Sequence, residues 1–179
     1  MIRVDNLQFA AAPRTGSTWL LHALEAYGIQ GQKTHIHHPH EAGKSPHTVR
    51  VSLVRHPADW FASYYAAIYP GLIDVRCVDV MAVDRDLSFD GFIKAYLRNR
   101  PGEYGRIITA YNADVYLRIE DCPLALTAFM LSMKRKPQKE VPSGAVNATK
   151  FRNLPVLNNH LRKAVMEAES KLCESFDYR

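Results

Sequence analysis

Residues 9 to 20 read Phe9-Ala10-Ala11-Ala12-Pro13-Arg14-Thr15-Gly16-Ser17-Thr18-Trp19-Leu20. The small and apolar first half is typical of a buried strand, and the apolar spacing after Thr18 predicts a helix. A turn of Pro, Arg, Thr, Gly and Ser joins them. A strand, turn and helix in this order aim backbone N–H groups and the positive end of a helix at an anion. We therefore expect residues 13–18 to bind a phosphate-like group.

This turn is close to a nucleotide P-loop but differs from it in one residue. A P-loop carries lysine before its Ser or Thr, whereas this chain has Gly16 there, and the nearest cation is Arg14. The pattern favours a phosphate-like ligand over ordinary Mg-ATP chemistry and counts against a kinase or other NTPase. The alternative is a plain helix N-terminus, capped by Ser17 or Thr18.

The length and composition of the chain limit the classes of protein to which it can belong. The 179 residues fit a single domain over residues 1–179, and the net charge of +5 favours anionic ligands without requiring nucleic acid. The sequence contains no apolar run long enough to cross a membrane, and its first residues do not resemble a signal peptide. We expect a soluble, cytoplasmic protein that binds neither nucleic acid nor membrane, with widely spaced cysteines that stay reduced.

The remaining pattern alternates strands and helices. Strands are predicted over Leu7–Ala12, Thr48–Val54 and Ala113–Ile119, and helices over Thr18–Tyr27, Pro57–Tyr69, Ser88–Arg98, Pro123–Met133 and Pro155–Phe176. This order predicts an α/β fold of three layers, in which a mainly parallel sheet is flanked by helices, and a P-loop nucleotide-binding-like topology. Because ligands of such sheets lie at the carboxyl ends of the strands, the 13–18 turn and Arg55 should share one rim.

Two further groups of residues carry candidate chemistry. Arg55 ends a predicted strand, and Ser63 lies two helical turns later, so a guanidinium fork and a hydroxyl can converge on one phosphate. The alternative is a surface ion pair of Arg55 with Asp59.

The second group is Lys33 and His35, which lie two residues apart on one side of an extended segment. Histidine is a natural base near neutral pH, and lysine can stabilise the charge that develops on a transferred group. Their alternative is a solvated polar loop.

Together these motifs resemble sulfotransferases that use 3′-phosphoadenosine 5′-phosphosulfate (PAPS), in particular short bacterial members. The segment Pro13-Arg14-Thr15-Gly16-Ser17-Thr18-Trp19 is similar to the family's 5′-phosphosulfate loop. The segment Arg55-His56-Pro57-Ala58-Asp59, followed by Ser63-Tyr64-Tyr65, is similar to its 3′-phosphate motif. Lys33-Thr34-His35 resembles the segment with the sulfate-contacting lysine and the base, and residues 115–121 resemble a later strand that usually ends in Tyr-Glu-Asp.

The resemblance implies in-line transfer of a sulfuryl group from PAPS to an acceptor hydroxyl or amine, with 3′-phosphoadenosine 5′-phosphate (PAP) as product. The acceptor would be a small molecule or a carbohydrate. In the implied catalytic set, His35 is the general base, and Lys33 and Arg14 stabilise charge on the transferred and leaving groups. The implied cofactor-binding residues are Arg14, Thr15, Gly16, Ser17, Thr18, Trp19, Arg55 and Ser63, with Lys150 and Arg152 as candidate cations for the 3′-phosphate. No metal is required.

Several alternatives stay open within this interpretation. Lys134-Arg135-Lys136 could replace Lys150 and Arg152, and Glu41 or His56 could replace His35 as the base. Trp19 could stack on adenine or pack in the core, and the aromatic residues of the Pro57–Tyr69 helix could line a phenol pocket or form its core face.

Two other classes of protein also fit parts of the sequence. A nucleotide-binding relative without catalytic activity fits the short chain. A metal-binding module fits the His-rich segment from His35 to Glu41, although Pro39 disfavours a helix there.

Overall fold

The apolar segments of the chain form one sheet and seven helices in a computed structural model, which describes residues 1–31, 47–68, 88–143 and 154–179. The strands are β1 (Ile2–Val4), β2 (Leu7–Ala11), β3 (Val49–Val54) and β4 (Val115–Arg118). The α-helices are α1 (Ser17–Glu25), α2 (Pro57–Ile68), α3 (Phe89–Asn99), α4 (Glu103–Ala110), α5 (Leu124–Ser132), α6 (Asn159–Ala168) and α7 (Ser170–Phe176). None of the helices in these ranges is long and apolar enough to span a bilayer.

The chain divides into two compact units. Residues 1–55 and 107–150 form the first, which contains the sheet; residues 56–106 and 151–179 form the second, which is helical. The strand order is β1-β2-β3-β4, in which β1 is antiparallel to β2 and the other neighbours are parallel. The prediction of an α/β fold with a mainly parallel sheet is confirmed.

The core of the first unit lies on one face of its sheet. Alternate strand residues point to the same face, so Phe9 on β2, Leu53 on β3 and Leu117 on β4 enter one cluster. Buried residues of α1 and α5, among them Leu20 and Met130, complete that cluster. Because β2, β3 and β4 are parallel, their carboxyl ends lie at the same edge of the sheet.

The second unit is held together by aromatic side chains. Trp60 of α2 stacks on Tyr104 of α4 with ring centroids 4.3 Å apart, and Phe61 contacts Tyr96 of α3 at 4.3 Å. Trp60, Phe61 and Tyr64 are all buried. These side chains therefore form the core face of their helix, which was one of the two alternatives for them.

The prediction of one continuous helix over Pro155–Phe176 is wrong. The chain forms α6 and α7 instead, and the break lies at Glu169, whose backbone has φ −104° and ψ 23°. Glu169 is buried and accepts hydrogen bonds from the backbone N–H groups of Tyr104 and Gly105, at 3.1 and 2.8 Å, and from the Tyr96 hydroxyl. The carboxylate thus caps the first turn of α4, which explains why a charged residue lies on an apolar face.

Candidate anion-binding site

The connection from β2 to α1 is a tight loop with two residues in the left-handed region. Arg14 has φ 70° and Gly16 has φ 100°. Between them, fully buried Thr15 closes the turn, because its backbone N–H and its hydroxyl both donate to the Ala12 oxygen, at 3.2 and 2.7 Å. The Thr15 hydroxyl therefore shapes the loop rather than facing a ligand.

Gly16 is the residue on which this loop geometry depends. A Cβ atom at this position would lie 2.7 Å from Cδ1 of Ile119, which follows β4, and the backbone is left-handed as well. A side chain at this position would be strained by the left-handed backbone and would require the Ile119 side chain to shift. The loop therefore favours glycine where a P-loop carries its lysine.

Helix α1 begins directly at this loop. Gly16, which has no side chain to serve as a cap, is its N-cap, and Ser17 and Thr18 lie inside the helix. The N-cap position is therefore Gly16 rather than Ser17 or Thr18, the two caps named in the alternative. The N–H groups of a first helical turn have no acceptor within the helix, and the helix dipole makes this end positive.

Two guanidinium groups lie beside the loop. Arg55, the residue after β3, donates from Nη1 to the main-chain oxygen of Arg14 at 3.4 Å. Burial lowers the pKa of Arg14 from its ordinary value, and the charge of Arg55 lowers it further. Two like charges held this close, next to a helix N-terminus, favour an anion.

A third arginine at the same edge was not recognised in the sequence as a site residue. Arg118 ends β4 and pairs in register with Val54, which directly precedes Arg55. Its Nε lies 3.3 Å from Asp121 Oδ2. The position of Arg118 next to Val54 depends on which strands pair and in what register, and neither can be predicted from the residues around Arg118 alone.

Trp19 belongs to the core of the first unit. The residue is 5% exposed, and its Nε1 donates to the Pro142 oxygen at 2.9 Å. This placement matches the core-packing alternative. Of the other loop residues, Ser17 is buried and Thr18 is half-buried at the start of α1.

Two predicted site residues lie in the second unit. Ser63 is buried on α2. His56, an alternative base, is also buried: its Nδ1 accepts from the Ala58 N–H at 3.2 Å, and its ring meets Tyr178 edge to face.

The alternative cations Lys134-Arg135-Lys136 lie away from the loop. Arg135 pairs with Asp5, which precedes β2, at the opposite end of that strand from the loop. Their suggested role as cations for the 3′-phosphate stays a prediction.

Other predicted residues fall outside the described residues. These are Lys33, His35, Glu41, Lys150 and Arg152, together with the His-rich segment and Tyr69. In the described ranges, no group of three or more His, Cys, Asp or Glu side chains is arranged to hold a metal ion.

No family model, curated protein or solved structure matches the chain.

Proposed function

We propose that this protein is a PAPS-dependent sulfotransferase with a three-layer, P-loop-like fold. The observation that carries the proposal is the loop between β2 and α1, which joins a left-handed glycine N-cap at the start of a helix and two neighbouring arginines. Such a loop suits the phosphate and sulfate oxygens of a 5′-phosphosulfate.

The charges of the loop favour a sulfuryl donor over ATP. A transferred sulfuryl group carries less negative charge than a γ-phosphoryl group, so fixed arginines can stabilise it without a P-loop lysine and a bound Mg²⁺. Arg14 would contact the leaving phosphate, and Arg55 would provide the guanidinium that the resemblance gives to the 3′-phosphate. Arg14 presents a planar fork rather than the point charge of lysine.

The chemical step follows from the sequence resemblance. His35 takes the proton of the acceptor hydroxyl or amine, the acceptor atom bonds to sulfur, and the bond from sulfur to the 5′-phosphate oxygen breaks to release PAP. Lys33 and Arg14 offset the charge that develops on the transferred group and the leaving phosphate.

Sulfuryl transfer can be tested with PAPS labelled with ³⁵S in the sulfuryl group, offered with panels of phenols, alcohols, amines and oligosaccharides. We expect labelled product and equimolar PAP with at least one class, and a loss of about 10²–10⁴-fold in turnover for His35→Ala with unchanged PAP affinity. PAP binding without transfer to any acceptor would instead favour the nucleotide-binding relative without catalytic activity. Absence of both PAP binding and transfer would contradict the proposal.

A further inference from the structure

Helix α5 carries apolar side chains on two opposite faces, and its sequence, Leu-Ala-Leu-Thr-Ala-Phe-Met-Leu-Ser, contains no charged residue. On one face, Leu126 and Met130 are buried in the core of the first unit. On the opposite face, which we call the outer face, Leu124 is 79% exposed, Leu131 is 48% exposed, and exposed Ala128 lies between them at helical spacing. A helix that is apolar all round is normally buried on every side, so we expect a partner to cover the outer face.

The two ends of α5 carry opposite charges. Glu120 and Asp121 precede the helix, Lys134 and Lys136 follow it, and all four residues are exposed. Asp121 also lies 3.3 Å from Arg118 Nε within the protomer, but its side chain keeps 54% of its exposure. An anionic membrane would attract the basic end and repel the acidic one, whereas a partner with the same two ends in reverse order would attract both.

We propose that the outer face of α5 docks on the same face of a second copy of this chain, with the two helices antiparallel. A twofold axis beside Ala128 brings Leu124 against Leu131 of the second copy. The same axis brings Asp121 against Lys134 of the second copy, because the two leucines and these two charged residues share one midpoint in the sequence. Each acidic end therefore meets a basic end, and both contacts occur twice in the dimer.

The centre of the outer face suits a close helix crossing. The small side chain of Ala128 lets two helix axes approach closely. Its neighbour Thr127 accepts a hydrogen bond from the Tyr27 hydroxyl at 3.3 Å, so this side chain already has a polar partner within the protomer. One face of a nine-residue helix covers less than the roughly 800 Å² per partner of a standard interface, so we expect a weak dimer with a Kd on the order of 100 µM. The surface uses residues of the first unit only and does not depend on the proposed function.

Sedimentation velocity of the full chain, from about 10 µM to about 1 mM, measures this self-association. We expect a shift from monomer to dimer, with a Kd that rises at least about tenfold in Leu131→Gln, because each dimer loses this leucine twice. Val156→Gln is the matched control, since Val156 is apolar and 87% exposed but is not part of the outer face. The control should change the Kd by less than about twofold.

A charge exchange tests whether the partner is an antiparallel second copy. Asp121→Lys and Lys134→Glu each create two like-charge pairs in a homodimer, so each variant alone should associate at least about threefold more weakly than the wild type. In an equimolar mixture, the heterodimer of the two variants has opposite charges in both pairs. The mixture should therefore associate more tightly than either variant alone.

Three results would overturn the proposal: a chain that stays monomeric at about 1 mM, an equal loss of association in Leu131→Gln and Val156→Gln, or a mixture that associates no better than its two components. Vesicles of phosphatidylserine and phosphatidylcholine separate the other class of partner. If the chain stays monomeric and sediments with these vesicles only while Leu131 is present, the outer face binds a membrane instead of a second copy.

Discussion

The Arg55 guanidinium donates to the main-chain oxygen of Arg14, 3.4 Å away, and thereby ties the end of β3 to the loop that follows β2. The same proximity contributes to the lowered pKa of Arg14, second to burial. In the first unit, two cations are therefore held together at the carboxyl edge of a parallel sheet. This edge is where ligands of parallel sheets bind.

Replacing either arginine by glutamine should weaken nucleotide binding far more than it weakens the fold. The free energy of unfolding should change by no more than about 1 kcal/mol: Arg55→Gln loses the bond to the Arg14 main-chain oxygen, which Arg14→Gln leaves in place, and either replacement relieves the repulsion between the two charges. Affinity for PAP should fall about 10- to 100-fold, since a charge-assisted hydrogen bond to the ligand is lost. Calorimetric titration with PAP, paired with urea unfolding, measures both quantities. An exposed arginine of α3 offers the matched control, Arg98→Gln, and an equal loss of PAP affinity in that variant would contradict a specific role for Arg14 and Arg55.

Gly16→Ala should disrupt the loop by strain and by a steric clash. The variant places a Cβ at φ 100° and 2.7 Å from Ile119 Cδ1, so we expect a loss of about 2–4 kcal/mol in stability together with PAP binding. Gly102→Ala is the matched control, because Gly102 has φ 78° but its added Cβ would meet nothing nearer than 3.4 Å. The free energy of unfolding of Gly102→Ala should fall by about 1–2 kcal/mol, and this variant should keep PAP binding. Full PAP affinity in folded Gly16→Ala would show that the loop geometry is not needed.

Glu169 should make the stability of the protein fall as pH rises. Burial raises the pKa of this carboxyl above its ordinary value of 4.5, although hydrogen bonds from Tyr96, Gly105 and Tyr104 and the charge of Arg106 oppose the shift. The folded state therefore binds the proton more tightly than the unfolded state. Its stabilising contribution is complete below pH 4.5 and is lost as pH rises through the folded-state pKa, by at most about 1.4 kcal/mol per pH unit.

Glu169→Gln removes this titration. Urea unfolding at pH values from about 4.5 to 7.5 should show the wild type losing stability relative to the variant as pH rises. Glu174→Gln, at an exposed position of α7, should show no such trend. A difference between wild type and Glu169→Gln that stays constant, or that grows in favour of the wild type as pH rises, would be the opposite of this expectation.

Ser52→Ala should raise stability. The Ser52 hydroxyl lies in the middle of β3, fully buried, and its oxygen has no hydrogen-bond partner among the residues that the structure describes. Removing an unsatisfied buried hydroxyl should add about 1 kcal/mol, or about 2–4 °C in Tm for a chain of this size. Ser132→Ala is the control, because that exposed hydroxyl donates to the Phe129 oxygen at 2.6 Å. A lower Tm for Ser52→Ala in differential scanning calorimetry would refute the expectation.

The sequence predicted those elements whose apolar spacing is regular. The β2–loop–α1 segment, β3, α2 and the Ser88-capped α3 all lie within a few residues of their predicted bounds. Strand β1 was missed because three residues are too few to show the alternation of apolar and polar side chains that predicts a strand. This strand depends on its pairing with β2. Helix α4 was missed for two reasons. It directly follows Pro101-Gly102, a pair that usually ends a helix or a strand, and its first turn is capped by Glu169, which is distant in the sequence.

The site residues could be predicted only where the residues next to them in the sequence form a recognisable pattern. The small residues of the loop and Arg55 after a strand could be read directly from the chain. The contact of Gly16 with Ile119 and the position of Arg118 beside Val54 depend on pairing between strands that are far apart in the sequence, so no local pattern predicts them. The roles of His35 and Lys33 stay predictions, since both residues lie outside the described ranges.

The most direct test of the sulfotransferase proposal is a comparison of PAP and ADP binding to the full-length protein by isothermal titration calorimetry. The two nucleotides differ chiefly in the placement of one phosphate: PAP carries a 3′-phosphate, whereas ADP carries a second phosphate at the 5′ position. We predict that PAP binds at least about tenfold more tightly than ADP, because a charge-assisted contact to the 3′-phosphate adds about 1.5–3 kcal/mol. Equal affinity for PAP and ADP, or binding of neither, would contradict the proposed function.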